Sequence, residues 1–299
     1  MKYIIDTDPG IDDAVAICLG HLNKLNIIGF TLASGNIEEY KAENNIKVIE
    51  DFLELNIPIY RSSQINDCNH QVAEYAHGKD GLGYAVFPNN KYRRVERTYA
   101  ENFIIQSSKK YRDNLTMICF GSLTNLANAL KKDKNVAKRI KHLVIMGISY
   151  DPNKKEKYHE FNIGVDPKSA KAVLEAPFED IKIVTHEVGV EAFIEKDYME
   201  NLENSDNKIS KFISLISKKY IEFSYSHYKT IGMCAPDPIT ISSIIDPSIV
   251  TFTPCLVKIN TKKGEYGTSD ITLVEKSNIR ISTDFDLDKF KDLFKKTFN

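Results

Sequence analysis

Five short β-rich runs constrain this chain's fold most, at residues 3–5, 27–32, 115–120, 142–146 and 181–185. Several are apolar throughout rather than alternating, the pattern of strands covered on both faces. Helical stretches lie between them, over 11–22, 39–55, 100–111, 123–131 and 167–175. This alternation predicts one α/β domain over residues 1–299, a Rossmann-like doubly wound fold with a mainly parallel sheet. The rhythm breaks at 209–228, where Ile209, Phe212, Ile216, Tyr220 and Phe223 recur at helical spacing among lysines. A helical insertion is therefore expected near 200–232. The C-terminal DLDKFKDLFKKTF is amphipathic too, with Leu287, Phe290, Leu293 and Phe294 on one face and Asp284 or Asp286 as N-cap.

Charge narrows the partners. Forty basic and 41 acidic residues leave a formal net charge of −1, which gives no reason to expect a nucleic acid or a membrane surface. No apolar run approaches the ~20 residues of a membrane span, and the N-terminus does not resemble a signal peptide. The five cysteines, Cys18, Cys68, Cys119, Cys234 and Cys255, are odd in number and scattered, with no CxxC pair. A reduced, cytoplasmic location is expected.

In an open α/β sheet, ligands bind outside the carboxyl ends of the strands. Four motifs follow strand runs: DTDPG, SGN at 34–36, FGSLTN at 120–125 and MGISYD at 146–151. All four are expected to converge on one edge. The first continues as DTDPGIDD, placing Asp6, Asp8, Asp12 and Asp13 within eight positions. One or two acids would serve the dipole of the helix starting near Ile11. Four repel one another, and a bound divalent cation removes the conflict. Oxygen-only ligation without paired His or Cys points to Ca²⁺ or Mg²⁺ rather than zinc. A rival reading of Asp-x-Asp, an aspartyl phosphate, needs Lys and Ser/Thr motifs that PGIDDA does not resemble. Pro9–Gly10 makes the tight turn that folds the acids back toward one point.

DTDPGIDDA is followed in order by SGN, HGKDGLG at 77–83, FGSLTNLA at 120–127, EFNIGVDP at 160–167 and PDP at 236–238. Together these resemble the inosine–uridine-preferring nucleoside hydrolase family across nearly the whole chain. The resemblance implies an N-glycosyl hydrolase: Ca²⁺-dependent cleavage of a small-molecule ribonucleoside to ribose and free base, in base salvage, by a homodimer or homotetramer. It also implies the residue roles. Asp8, Asp13, Asp237 and the main-chain carbonyl of Phe120 would ligate the metal, and Asp8 would take a proton from the attacking water. Asp12, Asn36, Glu160 and Asn162 would hold the ribose hydroxyls. Asp6 inherits no ligand role, and a structural one is expected of it.

Two departures bear on the base. Many relatives carry a histidine directly before the late metal-binding aspartate; here that position is Pro236. His77, opening HGKDGL, either protonates the leaving base or orders a loop. The loop before EFN reads YDPNKKEKYHEFN. Asn153 is its nearest candidate for the ribose 5′ side, and His159 for the base pocket. Lys154, Lys155 and Lys157 form either a solvated loop or a site for an anionic 5′ group. In the insertion, Tyr228 is expected to stack on the base with His227 nearby, while Tyr225 packs the helix. The missing histidine opens a more specialised reading, because a purine protonated at ring position seven needs a nitrogen there. A hydrolase of a modified or 7-deazapurine nucleoside (queuosine-type), or of its 5′-phosphate, would not use that acid. A catalytically weak riboside-binding protein is the alternative of a different class.

Overall fold

The computed structural model describes residues 1–63, 72–85, 87, 95–153 and 158–299. Lys154, Lys155 and Lys157, and Cys68, lie outside the described residues.

The strands are β1 (Lys2–Thr7), β2 (Ile27–Leu32), β3 (Ile59–Tyr60), β4 (Leu115–Cys119), β5 (His142–Met146), β6 (Ile181–Val184), β7 (Phe193–Glu195), β8 (Gly232–Cys234), β9 (Val250–Ile259), β10 (Ser269–Leu273) and β11 (Ile279–Phe285). Nine of them form one sheet in the order β10-β9-β11-β6-β5-β4-β1-β2-β3. The pairings from β3 across to β11 are parallel, and β9 and β10 complete the sheet antiparallel. Within this order, β3-β2-β1-β4-β5-β6 reverses direction between β1 and β4. A crevice opens at such a reversal, outside the strands' carboxyl ends.

Helices cover both faces. The helices Ile11–Leu22, Glu39–Leu53, Lys208–Tyr228, Pro236–Ile245 and Leu287–Phe298 share one hydrophobic core. Ala100–Tyr111, Thr124–Lys132 and Pro167–Leu174 bury their apolar stripes in a second. This is the doubly wound α/β architecture expected from the alternation.

The segment 200–232 is an excursion closed at its base by the antiparallel pair β7–β8. Its long helix, Lys208–Tyr228, starts at Asn207, whose side chain accepts a hydrogen bond from the Ile209 N–H at 2.9 Å. It ends where Lys229 turns left-handed, with φ of 62°. Its apolar stripe is Ile209, Phe212, Ile213, Ile216, Tyr220 and Phe223, all buried, and Phe212 stacks on Phe52 with ring centroids 4.3 Å apart. The C-terminal helix is capped by Asp286, which accepts from the Lys289 N–H at 3.0 Å, whereas Asp284 belongs to β11.

The sequence patterns do not announce β9 to β11. β9 carries a proline, Pro254, and only some of its positions are buried, so its run lacks the continuous apolar character of the inner strands. Among the described residues, no helix is long and apolar enough to cross a membrane.

Candidate active site

β1 and β4 flank the reversal, and each delivers part of the site at its carboxyl end. β1 runs into Asp8, and the Pro9–Gly10 turn brings Asp12 and Asp13 back at the start of the helix Ile11–Leu22. Asn45 fastens this turn by donating from Nδ2 to the carbonyls of Pro9 at 3.0 Å and Asp80 at 2.8 Å. β4 runs into Phe120 and Gly121, β2 into Gly35 and Asn36, and Asp237 stands in the first turn of the helix Pro236–Ile245.

Two glycines explain how Asp8 fits. A Cβ on Gly35 would overlap Asp8 Oδ2, and one on Gly121 would lie 2.5 Å from Asp8 Oδ1. Backbone therefore closes on the carboxylate from both sides, an approach open only to residues without a side chain. The Asn36 N–H donates to Asp8 Oδ2 at 2.5 Å. Asp13 accepts from Thr7 Oγ1 at 2.5 Å, the Gly10 N–H at 3.0 Å and Asn36 Nδ2 at 3.0 Å. Asp12 accepts from the Tyr220 hydroxyl at 3.3 Å.

Asp8, Asp12, Asp13 and Asp237 are all buried, and no Lys or Arg among the described residues pairs with them. Carboxylate oxygens of Asp12, Asp13 and Asp237 lie within 4.8 Å of one another. Burial, then the charge of Asp13, raises the Asp8 carboxyl well above the ordinary carboxylate range. Burial also pushes Asp12 up to about 6, and burial with the charge of Asp12 pushes Asp13 up to about 6. Asp237 is raised well above its usual range by burial and by Asp12, Asp13 and Asp8 in turn. Asp8 Oδ1 and Asp12 Oδ1 are buried without a hydrogen-bond partner among the described residues. Clustered buried oxygens with unused lone pairs fit a divalent cation, and their chemistry suits Ca²⁺ or Mg²⁺ over zinc. The tightest set places Asp12 with Asp13 and Asp237, and Asp8 beside them.

Above the acids lies a cleft lined by Asp12, Asn36, His77, Phe120, Glu160, Asn162, Tyr228 and Asp237, among others. Glu160 caps the helix Phe161–Val165, its oxygens accepting from the N–H groups of Asn162 at 2.9 Å and Ile163 at 3.0 Å. Burial pushes its carboxyl up to about 7. Asn162 Nδ2 donates to the Phe120 carbonyl at 2.6 Å. That oxygen keeps a second lone pair for another partner. Asp6 stands apart: it is fully buried in β1 and accepts from Thr31 Oγ1 and from Asn125 Nδ2 at 2.8 Å, tying β1 to β2 and to the segment after β4.

His77 is on the floor rather than the mouth. It is 4% exposed, its Nδ1 accepts from the Ile11 N–H at 3.1 Å, and the same atom lies 3.7 Å from Asp12. Burial lowers its pKa to about 4, against the opposing charge of Asp13.

Three candidates lie off the cleft. Asn153 is exposed and its N–H turns back to Asp151. His159 is exposed and packs toward Gly164 and Gly267. His227 sits on the outer side of its helix, hydrogen-bonded to Ser226. Conversely, Tyr75, Tyr158, His186 and Tyr220 line the cleft without having been singled out as site residues. His186 was open to discovery, because it follows β6 at a carboxyl end, as the other motifs follow their strands. Tyr220 falls on the apolar stripe of its helix, which masks its second role.

Known proteins resemble this chain over most of its length. The family model for the inosine-uridine preferring nucleoside hydrolase matches residues 3–292. A probable uridine nucleosidase 2 of Arabidopsis thaliana is 32% identical over 270 residues, covering 87% of this chain and 82% of the relative. An inosine-uridine preferring nucleoside hydrolase of Crithidia fasciculata is 27% identical over 259 residues, covering 84% and 80%. The solved structure of a plant nucleoside hydrolase superposes with a TM-score of 0.88 at 25% identity, covering 99% of this chain and 98% of its own. A chain matched over almost its full length, with the acids gathered at the sheet's reversal, is an N-ribohydrolase and belongs to the inosine-uridine preferring nucleoside hydrolase family.

Proposed function

We propose that this N-ribohydrolase is Ca²⁺-dependent, cleaves ribonucleosides such as uridine or inosine, and serves base salvage in the cytoplasm as a homodimer or homotetramer. The observation that carries the reading is the buried acid cluster at the reversal between β1 and β4, which pairs with no Lys or Arg among the described residues. Asp8, Asp13, Asp237 and the Phe120 carbonyl would hold the ion, with Asp12 close enough to join them. Such an ion offsets the repulsion among the carboxylates and makes the attacking water more acidic.

The protein's own groups perform the remaining work. Asp8, gripped by the backbone at Gly35, Asn36 and Gly121, takes the water's proton as oxygen adds to the anomeric carbon. The surrounding carboxylates stabilise the positive charge that develops on the sugar as the C–N bond breaks. Asp12, Asn36, Glu160 and Asn162 face the cleft and bind ribose hydroxyls. Buried polar groups dedicated to hydroxyls strongly reject sugars that lack them, so 2′-deoxyribosides are poor substrates. Tyr228, raised far above its usual range by burial, keeps its hydroxyl proton and offers a ring face to the base.

Release of the free base from a panel of uridine, inosine, their 2′-deoxy forms, a 7-deazapurine riboside and uridine 5′-phosphate tests the reading. Turnover of ribosides, with a loss of about 10²–10⁴-fold in Asp8→Asn, is expected. Riboside binding without cleavage by the wild-type protein would replace the enzyme with a binding protein.

A further inference from the structure

A departing base needs a proton, and Pro236 leaves no donor at the position before Asp237. Among the described residues, two histidines line the cleft, His77 and His186. His77 is held on the floor by the Ile11 N–H and lies against Asp12, on the sugar's side. His186 opens the helix His186–Glu191 at the carboxyl end of β6.

That helix packs directly on the proline. A Cβ at Gly189 would lie 2.7 Å from Pro236 Cβ and 2.9 Å from its Cα. Gly189 is three residues beyond His186 and Val190 is four beyond, so the three share one helix face. Val190 lines the cleft as His186 does. The helix therefore turns His186 toward the region that a side chain at 236 would have served. The His186 ring is half-buried between Tyr158, with ring centroids 5.4 Å apart, and Tyr228, at 5.8 Å. Two aromatic neighbours suit both a protonated imidazole and an adjacent nucleobase.

We propose that His186 is the catalytic residue that protonates the leaving base in this enzyme, an assignment that rests on the nucleosidase reading above. The balance is simple. The C–N bond breaks with its electron pair going to the base, and the imidazolium gives a proton to a carbonyl oxygen of uracil or a ring nitrogen of a purine. Water supplies the hydroxyl on the anomeric carbon and its proton goes to Asp8. Exchange with solvent then returns both residues to their starting states.

The test compares leaving groups. His186→Ala and His186→Gln are assayed on uridine and inosine, which need protonation, and on 4-nitrophenyl β-ribofuranoside, whose phenolate leaves without it. Both variants are expected to lose about 10²–10⁴-fold in kcat on the nucleoside the wild type cleaves, with under threefold change on the nitrophenyl riboside. Asp8→Asn is expected to lose both. Equal losses on the two substrate types, or no loss on either, would overturn the role of His186 while leaving the nucleosidase reading intact. Wild-type protein inert toward all three substrates would overturn the nucleosidase reading itself, and this assignment with it.

Discussion

Asp6 and Asp8 sit two residues apart, yet their surroundings differ. Asp8 ends in the acid cluster, while Asp6 is sealed inside the sheet against Thr31 and Asn125. Burial pushes the Asp6 carboxyl up to about 7, against hydrogen bonds that lower it. The folded protein therefore holds a proton there that the unfolded chain releases near pH 4. Its stabilising share is whole below the unfolded pKa and is lost as pH rises through about 7, on the order of 4 kcal/mol in all. Asp6→Asn, which mimics the protonated carboxyl, is expected to flatten the fall in stability between pH 5 and pH 8. Urea unfolding in EDTA at the two pH values reads this, and an unchanged slope in the variant would contradict it. At this scale the sequence distinguished the acids only through the family resemblance. Four aspartates in one motif look alike until the backbone shows which of them Gly35 and Gly121 enclose.

Among the elements, the helix Lys208–Tyr228 shows how far periodicity reaches. Its apolar stripe was legible because Ile209, Phe212, Ile216 and Phe223 repeat at helical spacing. Phe212 is 1% exposed and stacked on Phe52, so Phe212→Ala is expected to cost about 3–5 kcal/mol. The urea midpoint measures that cost, and a loss below about 1 kcal/mol would place the helix outside the core. The same stripe hid Tyr220, because an aromatic at a core position gives no sign that its hydroxyl reaches Asp12 in the cleft. Strands β9 to β11 were hidden for a related reason. They lie at the antiparallel end of the sheet, where partial exposure erases the continuous apolar signal of the inner strands.

Across the whole molecule, Asp8, Asn36, Phe120, Glu160 and Asp237 meet although they are far apart in the chain, because their strands and helices end on one side of one sheet. For Asp8, Asn36 and Phe120 that convergence followed from the strand-end rule applied to their motifs, whereas Glu160 and Asp237 were legible only through the family resemblance. The base side did not follow, because it depends on how the excursion and the helix His186–Glu191 lean over the cleft, and no local pattern encodes that. We propose that the buried acids are a cation centre for riboside hydrolysis. Ribose release from uridine and inosine by EDTA-treated protein, titrated with Ca²⁺, Mg²⁺ and Zn²⁺, tests it most directly. Loss of turnover on chelation and full recovery with Ca²⁺ are expected; undiminished turnover in the metal-free protein would rule out a cation centre.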